Sequence, residues 1–221
     1  MAKTVYVEET ATTFFLPARD VLAVWNATSS EETRYYLKGV YVEQHDKDGI
    51  QLIATDGHVL LRKPVARNAF IGADVSRQAT QFDRGFILAL DTADKAMKAK
   101  TVGDAWLYGD TATGIVQVLD VDGKADKGYR RVGVLEFDRI DGTFPDWRRI
   151  LPAVEPGFAG ASVCVELAKL VQMQKAAKVY GRNSPVRITA GEAGAPMLIE
   201  FGSDCEGLTG IVMPLRWANV S

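Results

Sequence analysis

The sequence predicts an α+β fold built from repeated β-α-β-β-β units with antiparallel sheets. Three apolar runs typical of strands each lead directly into a helical stretch, and the helices begin near Pro17, Asp91 and Glu166. These starts recur at intervals of about 75 residues, which is the kind of fixed period that marks a repeat architecture. After each helix come three alternating apolar and polar segments separated by turn residues, a pattern that favours antiparallel strands.

Each unit has its own set of predicted strands. In the first unit they are Thr12–Pro17, Tyr35–Glu43, Gly49–Thr55 and His58–Val65. In the second unit they are Gly85–Asp91, Ala105–Gly109, Gly114–Asp120 and Tyr129–Phe137. In the third unit they are Ala161–Leu167, Pro185–Ala190, Pro196–Phe201 and Leu208–Leu215. The order of elements is therefore the same three times.

The helices are short, and each has one apolar face. Pro17 suits the N1 position of the first helix, and Asp91 suits the N-cap of the second. The buried faces are predicted to contain, in turn, Ala18, Val21, Leu22 and Trp25; Ala93, Ala96 and Met97; and Leu167, Leu170, Val171 and Ala177.

These elements divide the chain into one complete domain and a further unit. Residues 1–150 are predicted to form a domain of two units, 1–66 and 84–150. A linker at 151–160 then leads to the third unit at 161–221. The polar stretch Lys63–Arg84 and the segment Pro152–Gly160 are typical of connections rather than core elements.

Composition excludes several classes of protein. The chain has 221 residues and a mass of 24.1 kDa, and 47% of its residues are hydrophobic and 24% charged, which is typical of a globular protein rather than a disordered one. Apolar runs fall short of the ~20 residues that a membrane helix needs, and we expect no signal peptide and no membrane partner. Cys164 and Cys205 are too few for a disulfide framework and too far apart for a zinc site, so we expect a cytoplasmic protein without metal or cofactor.

The positive charge is concentrated on the predicted helices, although the net charge is −2 and the pI is near 5.8. One interpretation is an ordinary solvated helix face. The other is a track for the phosphate backbone of duplex DNA, read without regard to sequence. The candidate DNA-binding residues are Arg19, Lys95, Lys98, Lys169, Lys175, Lys178 and Arg182.

The segment Thr55-Asp56-Gly57-His58 admits a catalytic interpretation, since Asp and His close together can act as an acid and a base. A structural interpretation is favoured, because Asp-Gly between two alternating apolar runs is a strong hairpin signal. The other histidine is His45 in a polar segment, so the sequence has no triad and no cluster of metal ligands. We therefore expect a protein that is not an enzyme, with a hydrolase based on Asp56 and His58 as a remote alternative.

Three strings resemble the bacterial sliding clamp family, the beta subunit of the replicative DNA polymerase. ETRYYLKGVYVE and LIATDGHVLL, within Glu32–Leu61, are similar to the start of that family's middle domain. DGTFPDWRRILP at Asp141–Pro152 is similar to the linker that closes the middle domain. GIVMPLRW at Gly210–Trp217 is similar to the C-terminal tail.

The resemblance implies the sliding-clamp fold of βαβββ half-domains, with helices inside a ring and antiparallel sheets outside. It implies a processivity factor that encircles duplex DNA and binds the clamp-binding motifs of DNA polymerase and the clamp loader. It also implies a hydrophobic pocket for those peptides. Its residues here would be Leu37, Thr55, Gly57, His58, Leu60, Pro145, Ile150, Ile211, Met213, Pro214, Leu215 and Arg216.

Two departures from the family pattern bear on function. Val59 stands where the family usually has arginine, which removes one polar contact from the implied pocket rim. The chain also shows three units where a clamp subunit has six, so we expect four chains to close a ring of twelve units with cyclic symmetry. A two-fold pairing of third units would instead produce dimers that need a further interface. The alternative function is a clamp-derived regulator that binds or competes for clamp-binding peptides without encircling DNA.

Overall fold

The computed structural model describes residues 13–46, 49–66, 85–90, 97, 105–110, 113–121, 129–151, 163–181, 184–190 and 194–215. In these ranges the first unit comprises β1 (Thr13–Pro17), α1 (Ala18–Trp25), a 3-10 helix (Glu32–Leu37), β2 (Val40–Asp46), β3 (Gly49–Thr55) and β4 (Val59–Ala66). The second comprises β5 (Phe86–Leu90), β6 (Trp106–Asp110), β7 (Ile115–Val121), β8 (Tyr129–Ile140) and a 3-10 helix (Trp147–Ile150). The third comprises α2 (Leu167–Lys178), β9 (Val186–Ala190), β10 (Met197–Phe201), a 3-10 helix (Ser203–Cys205) and β11 (Thr209–Val212).

The described strands form one antiparallel sheet in the order β1-β6-β7-β8-β5-β2-β3-β4-β11-β10-β9. The first two units exchange their first strands, since β1 pairs with β6 of the second unit and β5 pairs with β2 of the first. The third unit joins through β11, which pairs with β4. Ladders between units therefore hold the chain together, and antiparallel α+β architecture is confirmed.

The sheet buries residues on both faces. The main core lies between the sheet and the helices and includes Phe14, Leu52, Leu61, Leu107 and Val118. On the opposite face a second group, which we call the outer cluster, consists of Leu37, Ile53, Leu60, Ile87, Phe144, Trp147 and Ile211. All of β3 is buried for this reason, and its sequence reads as a nearly continuous apolar run.

Helix α1 packs on β3 and β4 and against α2. The prediction that Pro17 occupies N1 is wrong by one position, because Pro17 is extended, pairs with Trp106 and serves as the N-cap. The side chains buried on α1 are Ala18, Val21, Ala23 and Val24, while Leu22 and Trp25 are partly buried at the edge of the core. The Tyr180 hydroxyl beyond the end of α2 donates to Asp20 of α1 at 2.9 Å. This bond ties the third unit to the first.

Helix α2 rests on β11 at Gly210. A Cβ on Gly210 would lie 2.5 Å from Met173 Sδ, so glycine permits the close approach. The helix buries Met173, Ala176 and Ala177, and the predicted apolar face is partly wrong, because Leu167 is 74% exposed and Val171 is 40% exposed. The described part of the chain leaves these two side chains largely uncovered.

Three predicted elements differ from the structure. The segment at Tyr35 is a 3-10 turn rather than the start of a strand, since Lys38 N bonds to Tyr35 O and the ladder begins at Val40. The predicted linker does not begin at Lys63, because Lys63 lies in β4. Its buried ammonium donates a hydrogen bond to Glu206 O. The strand predicted at Ala161–Leu167 is reduced, among its described residues, to an isolated bridge between Cys164 and Leu215. The linker at Pro152–Gly160 and the helix residues Ala93 and Ala96 lie outside the described residues, while Met97 is buried as predicted.

Candidate functional site

The three strings singled out in the sequence meet at the junction of the first and third units. β4 and β11 pair with Leu60 opposite Ile211, and Met213 N donates to His58 O at 3.0 Å. The hairpin between β3 and β4 and the tail after β11 therefore lie side by side. The string at Asp141–Pro152 reaches the same junction through Phe144 and Trp147, which belong to the outer cluster with Leu60 and Ile211.

The turn at Asp56 is held by its own side chain. Asp56 Oδ1 accepts hydrogen bonds from the backbone N–H groups of His58 and Val59, both at 2.8 Å, and Gly57 has a φ of 91°. Thr55 Oγ1 is buried and donates to Val59 O at 2.7 Å. Such Asx geometry is local and stabilises a tight turn. The structural interpretation of this segment is confirmed.

The second carboxylate oxygen of Asp56 faces the third unit. Asp56 Oδ2 accepts from Lys169 Nζ at 3.1 Å and from Gln172 Nε2 at 3.3 Å, both on α2. Burial alone would raise the pKa of Asp56. The hydrogen bonds from the N–H groups of Val59 and His58, from Lys169 and from Gln172 outweigh burial, and the pKa is lowered. A carboxylate that accepts so many bonds is a structural anchor rather than a proton-transfer group.

The predicted pocket residues occupy three kinds of position around this junction. Leu37, Leu60 and Ile211 are buried in the outer cluster, and Ile150 borders it. Gly57, His58 and Pro145 are exposed, as are Met213 at 37% and Leu215 at 47%. Thr55 is buried in the turn, Pro214 is half-buried, and Arg216 lies outside the described residues. Met213 and Leu215 are thus exposed apolar residues on the strand end that follows Ile211 of the outer cluster.

Val59 does not share this surface. Its side chain is 1% exposed and packs in the main core, whereas its neighbour Leu60 packs in the outer cluster. Successive residues of a strand point to opposite faces. An arginine in place of Val59 would therefore have its Cβ on the main-core face of the sheet.

A group of acidic and aromatic side chains next to the outer cluster was not predicted from the sequence. Glu43 accepts from Trp147 Nε1 at 3.1 Å and pairs with Arg148 at 2.7 Å, while Arg148 lies 4.5 Å from the Trp147 ring centroid. Tyr41 stacks on Phe144 at 4.7 Å between centroids, and burial, with Glu43 nearby, raises its pKa. Trp147 and Arg148 stand inside the string FPDWRRILP and Glu43 ends the string ETRYYLKGVYVE, so the motifs contained all three residues, but neither string indicated a pairing across 104 positions.

The predicted DNA-binding residues have different surroundings. Lys175 and Lys178 are exposed in the last turns of α2, and Arg19 is half-buried on α1. Lys169 is 18% exposed and is paired with Asp56, a partner that the charge pattern did not predict. Lys95, Lys98 and Arg182 lie outside the described residues.

Metal sites and membrane-spanning helices are both absent from the described ranges. Within the described ranges, His, Cys, Asp and Glu side chains nowhere gather in a group that could hold a metal ion. In the same ranges, no helix is both long and apolar enough to span a membrane.

Comparison with known proteins bears on both the fold and the sequence. No family model matches the chain. The Beta sliding clamp of Caulobacter vibrioides is 31% identical over 130 residues, which are 57% of this chain and 30% of that protein. The DnaN sliding clamp of Bartonella birtlesii, solved bound to griselimycin, aligns with a TM-score of 0.57 and 19% identity over 93% of this chain and 66% of that one.

Other solved structures agree. The beta subunit from DNA polymerase of Streptococcus pyogenes aligns with a TM-score of 0.60 and 14% identity over 95% of this chain and 66% of that one. The chain thus spans about a third of the curated relative's length and slightly less than two thirds of these structures. The shared architecture shows that this chain has the sliding-clamp fold, and the sequence match shows that 130 of its residues are similar to a bacterial beta sliding clamp.

Proposed function

We propose that this chain is a sliding-clamp-like processivity factor, which encircles duplex DNA as an oligomer and holds partner peptides at the junction of its first and third units. The observation that carries the proposal is the convergence of the three clamp-like strings on one surface, through the β4–β11 ladder and the outer cluster. Residues 1–150 would form one complete two-unit domain, and residues 161–221 a third unit that completes the peptide site.

The surface suits peptide anchors. Met213 and Leu215 present exposed apolar side chains on the strand end that follows buried Ile211, and exposed His58, whose carbonyl accepts from Met213 N, adds a polar group. Such a combination of apolar lining and a few polar groups is what peptide grooves use. The occupants we propose are the clamp-binding motifs of a DNA polymerase and of a clamp loader. The proposed role of this surface is binding rather than catalysis, because the Asp56 carboxylate is engaged in hydrogen bonds within the turn and with Lys169.

The proposed DNA contact is electrostatic. Exposed Lys175 and Lys178, with Arg19 and with Lys95, Lys98 and Arg182 from the sequence, would face the phosphate backbone from the helical side of the sheet. We leave Lys169 out of this surface because its ammonium is paired with Asp56. Contacts of this kind bind any duplex sequence and weaken steeply with salt.

A ring requires more than one chain. Three units in each chain would make up a ring of twelve units when four chains join, and the assembly would be a cytoplasmic homo-tetramer. Light scattering is expected to give about four times 24.1 kDa.

Topological retention tests the encircling role. The chain, after loading, should stay on nicked circular duplex DNA in a gel-filtration column at high salt and should leave the same DNA once it is linearised. Equal loss from circular and linear DNA would overturn the proposal. Peptide binding by a chain that is never retained on circles would instead support the regulator that competes for clamp-binding motifs.

A further inference from the structure

The outer edge of β9 is open in the described part of the chain. β9 is the last strand of the sheet and pairs with β10, with Ile188 opposite Ile199 and Val186 opposite Phe201. Gly202 N donates to Pro185 O, and hydrogen-bonded pairs alternate along an antiparallel ladder, so Arg187 takes part in the bonds to β10. The backbone groups of Val186 and Ile188 therefore point to the open edge.

The side chains beside this edge are apolar and exposed. Val186 is 46% exposed and Ile188 is 50% exposed. They line a groove of about 290 Å³ whose other wall is α2, with Leu170 and Met173, and whose floor includes Phe201. An open strand edge with apolar side chains is a template for pairing with another strand.

The first two units show what occupies the equivalent edge. Among the described strands, β2 follows β1 in the first unit, β6 follows β5 in the second, and β9 follows the segment Val163–Val165 in the third. The outer edge of β2 is covered by β5, and that of β6 is covered by β1. In both cases the covering strand is the first strand of the other unit. The rule within this chain is a reciprocal exchange of first strands between two units.

In place of a first strand, the third unit has the bridged segment Val163–Val165, which is available for such an exchange. Val163–Val165 precedes α2 as β1 precedes α1, and Leu215 N donates to Cys164 O at 2.7 Å in an antiparallel bridge. β5 makes the corresponding contact with the last strand of its own unit, β8, and keeps its other edge for β2 of the other unit. Val163 and Val165 also pack against the main core, as Phe86 and Leu88 of β5 do. The segment Val163–Val165 is therefore placed in its unit as β5 is in the second unit, and its contact with the end of its own unit is already formed.

We infer that two copies of this chain pair through their third units about a two-fold axis, and that the segment Val163–Val165 of each copy adds to the open edge of β9 in the other. The contact is isologous, so each copy both donates a strand and accepts one. It rebuilds the two-unit domain that the first and second units form within one chain. Because α2 follows the donated segment directly, the second copy also brings its exposed Leu167 toward the groove.

This pairing depends on the sheet edge and not on DNA or peptide binding. It refines the proposed function, because the third units would meet in a two-fold contact rather than in the head-to-tail contact of a cyclic tetramer. Two such dimers would then make up the four-chain ring. A dimer that fails to be retained on circular DNA would therefore contradict the proposed function while leaving this inference intact.

The test compares two charge insertions at equally exposed apolar positions. Ile188→Glu places a carboxylate on the open edge, whereas Val134→Glu places one on β8, where the valine is also 50% exposed. Sedimentation equilibrium on the full chain without DNA, over a range of micromolar concentrations, should show wild type and Val134→Glu as dimers or multiples of dimers. Ile188→Glu should raise the dissociation constant of the dimer at least tenfold, while the near-ultraviolet circular dichroism spectrum remains that of wild type.

Amide hydrogen exchange on the wild type provides a second measurement that needs no variant. The amides of Val186 and Ile188 should become protected as concentration rises into the dimer range, because the donated strand accepts their hydrogen bonds. Three results would overturn the inference: a wild-type monomer throughout the range, a dimer that Ile188→Glu and Val134→Glu leave equally intact, or a dimer in which these two amides exchange as fast as in the monomer.

Discussion

Lys169 Nζ of α2 lies 3.1 Å from Asp56 Oδ2 in the turn between β3 and β4, and both side chains are largely buried. The other carboxylate oxygen of Asp56 accepts hydrogen bonds from the N–H groups of His58 and Val59 in the turn. One side chain therefore shapes the hairpin and also anchors the third unit. The relationship explains why a residue pair that could be mistaken for an acid and a base, Asp56 and His58, has a structural role.

Removing either partner of this pair should loosen the third unit. Asp56→Asn and Lys169→Met should each lower the free energy of unfolding by about 1–3 kcal/mol, because the remaining partner is left buried without its counter-charge. Urea unfolding measures the loss, and a double-mutant cycle isolates the coupling. Arg130→Met is the control, since Arg130 and Asp120 form an exposed pair that should contribute less than about 1 kcal/mol. Equal losses at both sites would contradict the assignment.

The same carboxylate predicts a pH dependence. The pKa of Asp56 is lower in the folded chain than its ordinary 3.8, so its contribution to stability is complete above pH 3.8 and is lost as pH falls through the lower folded pKa. The difference in unfolding free energy between wild type and Asp56→Asn should be constant near neutral pH and shrink below pH 3.8. Asp20, whose pKa burial raises, has the opposite dependence, but it is present in both proteins and cancels. A difference that grows in acid would contradict this prediction.

The peptide site can be tested by truncating its exposed rim. A short peptide with a Gln anchor followed by Leu and Phe should bind with micromolar affinity, on the order of −7 to −8 kcal/mol. Met213→Ala combined with Leu215→Ala should abolish binding in calorimetry, and the fold should persist because both side chains are more than a third exposed. Ile115→Ala, at a similarly exposed position on β7, should bind as wild type does. No binding to wild type, or unfolding of the double variant, would refute the site.

Charge reversal at the end of α2 tests the DNA surface. Lys175→Glu combined with Lys178→Glu should weaken binding to every duplex sequence alike and reduce the slope of log affinity against log salt by about 2, since about one counterion is released for each phosphate contact. Arg130→Glu combined with Arg131→Glu makes the same change of charge on exposed positions of β8 and should have a smaller effect. Fluorescence anisotropy at several salt concentrations distinguishes the two pairs. An equal loss for both would indicate a nonspecific effect of net charge.

Much of the fold was predictable because its signals are local. The turn at Asp56 depends on hydrogen bonds that span two or three residues. The strand β7 begins and ends one residue later than predicted, and β10 begins one residue later and ends where predicted. The order of elements in each unit follows from hydrophobic periodicity, which a single segment carries. At Tyr35 the residue pattern predicts the start of a strand, but the backbone forms a 3-10 turn there instead.

The candidate site was predictable in its members and not in its arrangement. The strings around His58, Pro145 and Met213 contain the residues that meet at the junction, but their exposure depends on which sheet face each strand turns outward. The Glu43–Trp147 bond and the Asp56–Lys169 pair join residues more than 100 positions apart. No pattern within a window of sequence encodes such a pairing.

By itself, the sequence determined the order of the strands that the structure describes, the hairpin at Asp56 and the positions of α1 and α2, because each of these arises from contacts between near neighbours along the chain. Only the tertiary structure decided that β1 and β5 change places between units, that Lys169 belongs to Asp56, and that Leu167 and Val171 of α2 remain exposed. Strand exchange and helix burial depend on which unit lies alongside. The third unit has the first unit on its β11 side, but among the described residues no unit lies alongside β9, and apolar side chains such as Leu167 and Ile188 are left at the surface.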